Sequence, residues 1–324
     1  HIRGNVPSGM IVRESRFGFM TLENEEMEIY REAKNLVTDL YCYSEIRDSG
    51  RIYKSVGTLG GGNHFIELDK DDEDNVYLVI HTGSRNLGKQ VAQIYQAKAV
   101  KHLTAGADEL EARIRSTIEE YKAAGRRAEL QGVIRNMRRE HRAVAPSLPD
   151  ALCYVEGATR EHYLHDMRLC QRWAVLNRKL IALLLLRFFP DVEVLEEFES
   201  VHNYISDDNV IRKGAISASE GERCIIPMNM RDGSLLCTGK GNPDWNCSAP
   251  HGAGRVLSRS QAYQTITVED FKASMEGIYS ESVNEFTRDE SPMVYKPASE
   301  IIANIGDTVT VDTVIRPVFN FKAH

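Results

Sequence analysis

Residues 57–85, GTLGGGNHFIELDKDDEDNVYLVIHTGSR, contain two short apolar runs that predict β-strands. The runs are NHFIEL and VYLVIHT, and the acidic turn DKDDEDN separates them. His64 and His81 stand at or near ends of these strands, close to glycine. Strands fix the direction of a side chain, and glycines let a ligand approach the backbone. The stretch therefore predicts a strand pair that carries a metal or phosphate site.

Helical spacing dominates the chain after Leu87, and it also marks an earlier stretch, EEMEIYREAKNLVTDLYC. The first helix after Leu87 is GKQVAQIYQAKAVKHL, and two highly charged helices follow, ADELEARIRSTIEEYKAAG and RRAELQGVIRNMRREHRA. The segment APSLP interrupts them, and a long helix is predicted from about residue 156 to 189, ended by Pro190. We expect residues 88–190 to form a helical insertion within a single domain, 1–324.

The remainder of the chain is typical of strands with a few short helices. The predicted strands are VEVLEEFESVHNYIS, VIRKGAISA, RCIIPMNM, SLLCTG and the tail TVTVDTVIRPVFNF, in which Pro317 indicates an edge or a bend. Short helices are predicted near residues 254–262, 268–276 and 297–304. Strands, then inserted helices, then strands again indicate the α+β class, with mixed β-sheets around a central metal and nucleotide cleft, and not an alternating βαβ fold.

Composition is ordinary for a soluble globular protein, with 42% hydrophobic and 27% charged residues among 324. The longest apolar run, IALLLLRFF, is interrupted by Arg187 and is too short to cross a bilayer. The six cysteines are scattered, without a Cys-x-x-Cys pair, and this favours a reducing cytoplasm. A net charge of −7 argues against non-specific coating of nucleic acid but leaves room for a local basic groove.

Histidines recur beside glycine or asparagine at strand ends. Four of the ten do so: His64, His81, His202 and His251. The recurrence is hard to explain by structural roles alone and favours a shared site. Oxygen ligands beside these imidazoles would favour manganese or magnesium, whereas a thiolate would favour zinc or iron. His162 and His165 lie three residues apart on a predicted helix, where a solvated face is the simpler interpretation.

Arginine and lysine accompany small residues in three loops: HTGSRNLGK, HGAGRVLSR and IRKGA. A guanidinium beside backbone amides suits a bidentate grip on phosphate. The loop GTLGGGNH lacks both the Walker lysine and the Rossmann spacing, so it is a weak phosphate signal alone. The basic helix RRAELQGVIRNMRREHRA is more typical of a solvated face than of an RNA contact.

Taken together, these motifs resemble the RtcB family of RNA-splicing and RNA-repair ligases. The resemblance rests on GTLGGGNHFIEL, HTGSR, VHNY, RKGAISA, SAPHGAGRVLSR, PMVYK and the near-terminal NFKAH, in the family's order from about residue 5 to 324. It implies that GTP and two Mn²⁺ ions serve the joining of an RNA 3′-phosphate or 2′,3′-cyclic phosphate end to a 5′-hydroxyl end. It also implies broken or spliced RNA ends as partners, without a membrane, and leaves open whether an activator protein is needed.

The resemblance also assigns roles to individual residues. His251 matches the histidine that becomes guanylylated, and a neutral imidazole is a competent nucleophile at physiological pH. The metal ligands it implies are His64, His81 and His202. The nucleotide contacts it implies are Asn63 and Asn203 near the phosphates, Phe65 and Tyr295 beside the guanine, Glu67 and Lys322 at the guanine edge, and the loop Gly252, Ala253 and Gly254. The RNA phosphate contacts it implies are Arg85, Lys213 and Arg255.

Three departures from the family pattern stand beside these matches. The family carries an amino-terminal Asp-x-His motif and an Asp-x-x-Cys motif whose cysteine bridges the metals, and none of the six cysteines stands in that context. We therefore expect a longer protein with these ligands upstream of residue 1. Val201 replaces a histidine before His202, and IIPMNM replaces a form with Gly-Ser-Met. Two rival functions stay open: a metal-dependent phosphoesterase and a non-catalytic paralogue that binds RNA ends.

Overall fold

A computed structural model describes residues 2–13, 22–103, 105–144 and 148–322. His1 and His324 lie outside the described residues. The chain divides into two compact units, of which the first comprises residues 1–38, 48–85 and 169–324 and the second comprises 39–47 and 86–168. All six cysteines are free thiols. No described helix has the length and apolar character needed to cross a membrane.

The described residues contain ten α-helices and eight β-strands. The helices are α1 (Ile2–Asn5), α2 (Asn24–Thr38), α3 (Ser49–Lys54), α4 (Asn86–Leu103), α5 (Ala105–Ala123), α6 (Leu130–Val144), α7 (Gly157–Leu186), α8 (Arg259–Thr265), α9 (Val268–Ser274) and α10 (Ala298–Asn304). The strands are β1 (Phe65–Lys70), β2 (Val76–His81), β3 (His202–Ile205), β4 (Ile211–Ser217), β5 (Arg223–Asn229), β6 (Gly233–Gly239), β7 (Ser248–Pro250) and β8 (Val309–Lys322).

The strands of the first unit form two sheets. One has five strands in the order β2-β1-β8-β6-β5, and the other has three in the order β3-β4-β7. Every pair of named strands is antiparallel, so the prediction of mixed sheets is wrong. The physical reason is that β1–β2, β3–β4 and β5–β6 are joined by short turns, which only antiparallel neighbours permit.

The five-stranded sheet has an apolar face and a face with buried polar groups. On the apolar face, Ile66 of β1 and Phe321 of β8 belong to a fully buried cluster with Ile181 and Leu185 of α7. Successive side chains of a strand point to opposite faces. Phe65, Glu67 and Asp69 of β1 therefore lie on the other face, which carries the residues of the candidate site.

Two predictions about strands need correction. The predicted strand over residues 192–206 is reduced to His202–Ile205, because Val192, Val194 and Leu195 are exposed and residues 192–201 join no ladder. Of the two alternatives predicted for Pro317, an edge or a bend, the edge is wrong, since β8 is the central strand of its sheet. Pro317 lies instead at a register shift, where Leu68 faces Phe319 and Asp69 faces Pro317.

The second unit is helical and is organised around a buried carboxylate. Asp166 accepts hydrogen bonds from the backbone N–H groups of Tyr41 (2.9 Å) and Cys42 (3.1 Å) and from the hydroxyl of Tyr95 (2.8 Å). His165 Nδ1 lies 3.1 Å from the same carboxylate, and the ring of His162 stacks on Tyr41 at 3.8 Å. These two histidines thus contribute to packing within the second unit, whereas residues of a simple solvated helix face would make no such contacts.

Candidate functional site

Four histidines of the first unit form a continuous row. His64 precedes β1 and His81 ends β2, while His202 begins β3 and His251 follows β7. Ring centroids are separated by 5.9 Å from His64 to His81, 5.4 Å from His81 to His202 and 4.8 Å from His202 to His251. The structure therefore brings together all four of the strand-end histidines, two from each sheet, and we call them the histidine row.

Glycines let this row pack closely. A Cβ atom at Gly60, whose φ is +89°, would lie 1.8 Å from Nη1 of Arg85 and 2.4 Å from Nδ1 of His64. Gly214 adopts φ +70°, and a Cβ atom there would lie 3.7 Å from Cε1 of His251. Only a residue without a side chain permits the close approach of Arg85 and His64 at position 60, so Gly60 is required for the position of His64.

Burial favours the neutral form of three imidazoles of the row, those of His64, His81 and His202. It lowers the pKa of His64 to about 4, with a further contribution from the Arg85 guanidinium. Burial also takes the pKa of His81 well below its usual value, and together with His251 it lowers the pKa of His202. A neutral imidazole has a lone pair available for a metal or for an electrophilic phosphorus atom.

Two ring nitrogens of the row are buried without any hydrogen-bond partner among the described residues, namely Nδ1 of His64 and Nδ1 of His202. Buried polar atoms are rarely left unpaired, and an orphaned imidazole nitrogen suits metal coordination. Within the described ranges, however, no three His, Cys, Asp or Glu side chains converge on one ion. The row thus offers two unpartnered imidazole nitrogens, while no three of its side chains form a complete ligand set.

A buried ion pair lies beside the aromatic ring of Phe65, which itself stacks on His81 at 5.2 Å. Lys322 is the register partner of Phe65, and its Nζ lies 5.4 Å from the ring centroid. The same Nζ lies 2.9 Å from Oε2 of Glu290, and the hydroxyl of Tyr295 donates to that oxygen at 2.7 Å. Burial alone would raise the pKa of Glu290, but the Lys322 ammonium and the Tyr295 hydroxyl bring the pKa below its usual value.

Glu290 was not among the residues predicted from the sequence, although it binds two of them, Lys322 and Tyr295. It ends a 3₁₀ turn at Glu285–Glu290, within the stretch RDESPMVYK. Neither periodicity nor a motif distinguishes this glutamate from an ordinary solvated one. Its one available signal is indirect, because a buried lysine in a predicted strand requires a carboxylate partner.

Glu67 and Lys322 lie on the same face of the five-stranded sheet. Glu67 is almost fully buried and accepts a hydrogen bond from Nδ2 of Asn320, its register partner on β8. Burial raises the pKa of Glu67 to about 7, although the Lys322 ammonium and the Asn320 amide oppose the rise. A carboxyl and an ammonium are thus presented on neighbouring strands close to the aromatic ring of Phe65.

Two of the three cations predicted for phosphate contact already bind protein acceptors. Arg85 donates from Nε to Oγ1 of Thr58 (2.9 Å) and from Nη2 to the carbonyl of Gly9 (2.8 Å). Burial lowers the pKa of Arg85 to about 10, so it remains charged at neutral pH. Arg255 donates from Nε to the carbonyl of Leu257 (3.1 Å), and its Nη1 lies 3.5 Å from Glu290. Its guanidinium lies over the ring of Tyr295 at 5.5 Å, and its Nη2 is buried without a partner among the described residues. Lys213 is exposed on β4.

The predicted asparagines flank the row. Nδ2 of Asn63 lies 3.5 Å from Nε2 of His81. Asn203 has φ +60° at a bulge in β3, and its Oδ1 accepts from the backbone N–H of Gly214 at 3.0 Å. The amide oxygen of Asn203 is therefore used to shape the backbone between the two histidines of the three-stranded sheet, while the side chain remains exposed.

Backbone hydrogen bonds anchor the loop that follows His251. The N–H of Ala253 donates to the carbonyl of Pro227 at 3.3 Å, and the carbonyl of Gly254 accepts from Lys296 at 3.1 Å. A Cβ atom at Gly252 would lie 3.0 Å from the same Pro227 oxygen. The loop is thus held between β5 and the segment that carries Tyr295.

A family model described as tRNA-splicing ligase RtcB matches residues 21–323. The chain belongs to the RtcB family. RNA-splicing ligase RtcB of Escherichia coli K12 is 29% identical over 288 residues, which cover 83% of this chain and 62% of that protein. tRNA-splicing ligase RtcB of Aeropyrum pernix is 24% identical over 319 residues, covering 82% and 59% respectively. This RtcB chain thus spans about three fifths of the length of these relatives.

An Asp-x-x-Cys spacing occurs three times in this chain, at Asp39–Cys42, Asp150–Cys153 and Asp244–Cys247. The first of these cysteines, Cys42, has a different environment from that of a metal ligand. Cys42 is fully buried in the second unit, and burial together with the Asp166 carboxylate raises the pKa of its thiol to about 12. A metal-bridging cysteine must be a thiolate, so Cys42 is unsuited to that role as it stands.

Proposed function

We propose that this chain is the catalytic part of a GTP-dependent RNA ligase that acts through a guanylylated histidine. The observation that carries the proposal is the place of His251. It ends a row of four closely packed imidazoles and precedes an anchored glycine-containing loop. The names of the relatives, RNA-splicing and tRNA-splicing ligase, support the same reaction class.

The first step is an attack of a ring nitrogen of His251 on the α-phosphorus of GTP. A nitrogen–phosphorus bond forms, the bond between the α-phosphorus and its bridging oxygen breaks, and pyrophosphate leaves with the electron pair. The backbone of Gly252–Gly254 has little side-chain bulk, so the phosphates can approach it closely. Arg255 supplies positive charge next to that loop, and its buried Nη2 still has a donor to offer.

The second and third steps transfer the guanylyl group and seal the RNA. An oxygen of the RNA 3′-phosphate attacks the phosphorus on His251, and the imidazole leaves as the neutral nucleophile it was. The 5′-hydroxyl oxygen then attacks the activated 3′-phosphate and gives up its proton to solvent, a phosphodiester bond forms, and GMP is the leaving group. Arg85 and Lys213 would hold RNA phosphates, contacts that position the ends without reading sequence.

Guanine recognition is assigned to the polar face around Phe65. Phe65 and Tyr295 would flank the base, Glu67 would accept hydrogen bonds from guanine N1 and N2, and Lys322 would donate to O6. Adenine offers the opposite pattern to both groups. The support is that Glu67 and Lys322 already share one face of the sheet beside the Phe65 ring.

Manganese would be held by His64, His81 and His202. When bound, it would act as a Lewis acid on phosphoryl oxygens. The orphaned ring nitrogens of His64 and His202 support this assignment. Mn²⁺ prefers oxygen donors and has a low affinity for nitrogen sites, so a second ion should require anionic ligands beyond these three. We also propose a reducing compartment such as the cytoplasm, in agreement with six free thiols.

The test of this function is a ligation assay with defined RNA ends. One strand carries a 3′-phosphate, the other a 5′-hydroxyl, and GTP and Mn²⁺ are supplied. Joining that requires GTP, releases one GMP per junction and is lost in His251→Ala supports the proposal. Release of inorganic phosphate from the RNA end without joining would identify a phosphoesterase instead, and binding of RNA ends without either product would identify a non-catalytic binder.

A further inference from the structure

Two buried carboxyl groups lie side by side on β1. Glu67 and Asp69 are two residues apart in one strand, so their side chains share a face. Their relative exposures are 2% and 0%. Both carboxyl oxygens of Asp69 lack a hydrogen-bond partner among the described residues, as does Oδ1 of Asn320 on the neighbouring strand. A fully buried and unpartnered carboxyl group calls for an explanation.

The cations near this face gather around Glu290. Lys322, Arg259 and Arg255 lie 2.9, 3.0 and 3.5 Å from its carboxylate. Glu67 receives the more distant attraction of Lys322 and one amide hydrogen bond from Asn320. Asp69 receives no cation within ion-pair distance among the described residues.

The groups opposite Asp69 do not change this charge count. Its register partner on β2 is Tyr77, whose hydroxyl donates to Asp71. From β5, Arg223 acts on Tyr77 at longer range and pairs with the exposed Glu196 at 3.3 Å. From β8, Asn320 and the already paired Lys322 face this side of β1, whereas Arg316 is the register partner of Lys70 and pairs with Asp72 at 2.9 Å. A second negative charge at Asp69 would therefore stand alone in the interior.

Two neighbouring carboxyl groups in a dry interior do not both ionise, and one of them keeps a proton. The proton belongs on Asp69, because it has neither the amide hydrogen bond nor the cation that Glu67 has. Burial and the neighbouring Glu67 accordingly raise the pKa of Asp69 to about 9.

We propose that Asp69 is a positioning residue of the nucleotide site: as a neutral acid it leaves the single negative charge of the pair on Glu67. The proposal rests on the guanine-binding role of Glu67 given above. It adds a residue beneath the base site, on which base selection then depends. Ionisation of Asp69 would force the pocket to open to water or move the proton to Glu67, and either change weakens the acceptor for guanine.

The experiment measures the affinity for GMP by calorimetry from pH 7 to 10 in metal-free buffer, with AMP as the comparison ligand. Wild type, Asp69→Asn and Asp72→Asn are compared, the last being the same change at an exposed aspartate of the β1–β2 turn. Wild type and Asp72→Asn should lose affinity by about tenfold per pH unit above the pKa of Asp69. Asp69→Asn should bind as wild type does at pH 7.5 and lack this loss, and the ligand's own titration cancels in the comparison.

A direct titration accompanies the binding curves. The ¹³C chemical shift of the Asp69 carboxyl, assigned by its absence in Asp69→Asn, should report a protonated acid at pH 7.5. An ionised Asp69 at that pH, or identical GMP profiles in wild type and Asp69→Asn, would overturn the role of Asp69 while leaving the guanine site intact. Failure of all three proteins to bind GMP at any pH would instead contradict the guanine site itself, and the role of Asp69 with it.

Discussion

Lys322 and Glu290 form a buried ion pair, with Nζ 2.9 Å from Oε2 and both side chains at most 6% exposed. The pair joins the last residue of β8 to the turn that precedes Tyr295. It therefore fixes the end of the central strand against the segment that would flank the guanine. The geometry of the nucleotide site depends on this contact between distant parts of the sequence.

Glu290→Gln should destabilise the protein strongly, because it leaves the Lys322 ammonium buried without its carboxylate. Loss of one partner of a buried pair costs about 3–5 kcal/mol. The matched control is Glu300→Gln, which breaks the half-exposed pair with Lys296 and should cost about 0–1 kcal/mol. Urea unfolding measures both, and similar losses in the two variants would show that the buried pair has no special weight.

Gly60→Ala should displace His64 and destabilise the fold by more than Gly62→Ala does. Both glycines have positive φ, +89° and +75°, so both variants carry backbone strain, about 1–3 kcal/mol per site. Only at Gly60 would the new Cβ meet Arg85 and His64, whereas at Gly62 its nearest neighbour is 3.9 Å away. The difference in unfolding free energy between the two variants isolates the clash, and equal losses would contradict the close packing around Gly60.

The stability of wild type relative to Asp69→Asn should fall as pH rises. The pKa of Asp69 is raised to about 9 in the folded protein, mainly by burial, above an unfolded value near 3.9. Its contribution is therefore fully present below about pH 4 and is lost progressively as pH rises through about 9. Unfolding curves of both proteins at pH 5, 7 and 9 measure this, and a pH-independent difference would mean that Asp69 has an ordinary pKa.

Glu67→Gln should weaken the preference for GTP over ATP. A hydrogen bond to a charged acceptor contributes about 1.5–3 kcal/mol, which corresponds to a loss of about tenfold to a hundredfold. Labelling of the protein by radioactive GTP and ATP measures the ratio, with Glu73→Gln on the exposed turn of the same hairpin as the control. An unchanged ratio in Glu67→Gln would remove Glu67 from the guanine site.

Local sequence patterns predicted the elements in which buried and exposed residues recur at regular intervals. The long helix expected over 156–189 is found at Gly157–Leu186, and the β1–β2 hairpin lies where its alternation and acidic turn placed it. Alternation failed at Val192 and Val194, because an alternating segment becomes a strand only when a neighbour supplies backbone partners, and these residues are exposed. Whether a neighbouring strand is available for pairing depends on the tertiary fold, and the local sequence of residues 192–201 does not indicate it.

The polar residues of the site likewise include some that could be predicted from the sequence and some that could not. Histidines beside glycine or asparagine could be recognised, because the combination recurs at four predicted strand ends. Glu290 and Asp69 could not, since aspartate and glutamate are usually solvated and only burial distinguishes these two. The free thiols agree with the scattered cysteines of the sequence, whereas the antiparallel pairing of every named strand became visible only in the structure.

The central claim is that His251 becomes covalently guanylylated. The most direct measurement incubates the protein with α-³²P-GTP and Mn²⁺, denatures it and follows the label through acid and base. A phosphoramidate on His251 predicts one GMP per chain at most, stable in base, lost in acid, and absent from His251→Ala. Label that survives acid, or that persists in His251→Ala, would contradict the assignment of His251 as the nucleophile.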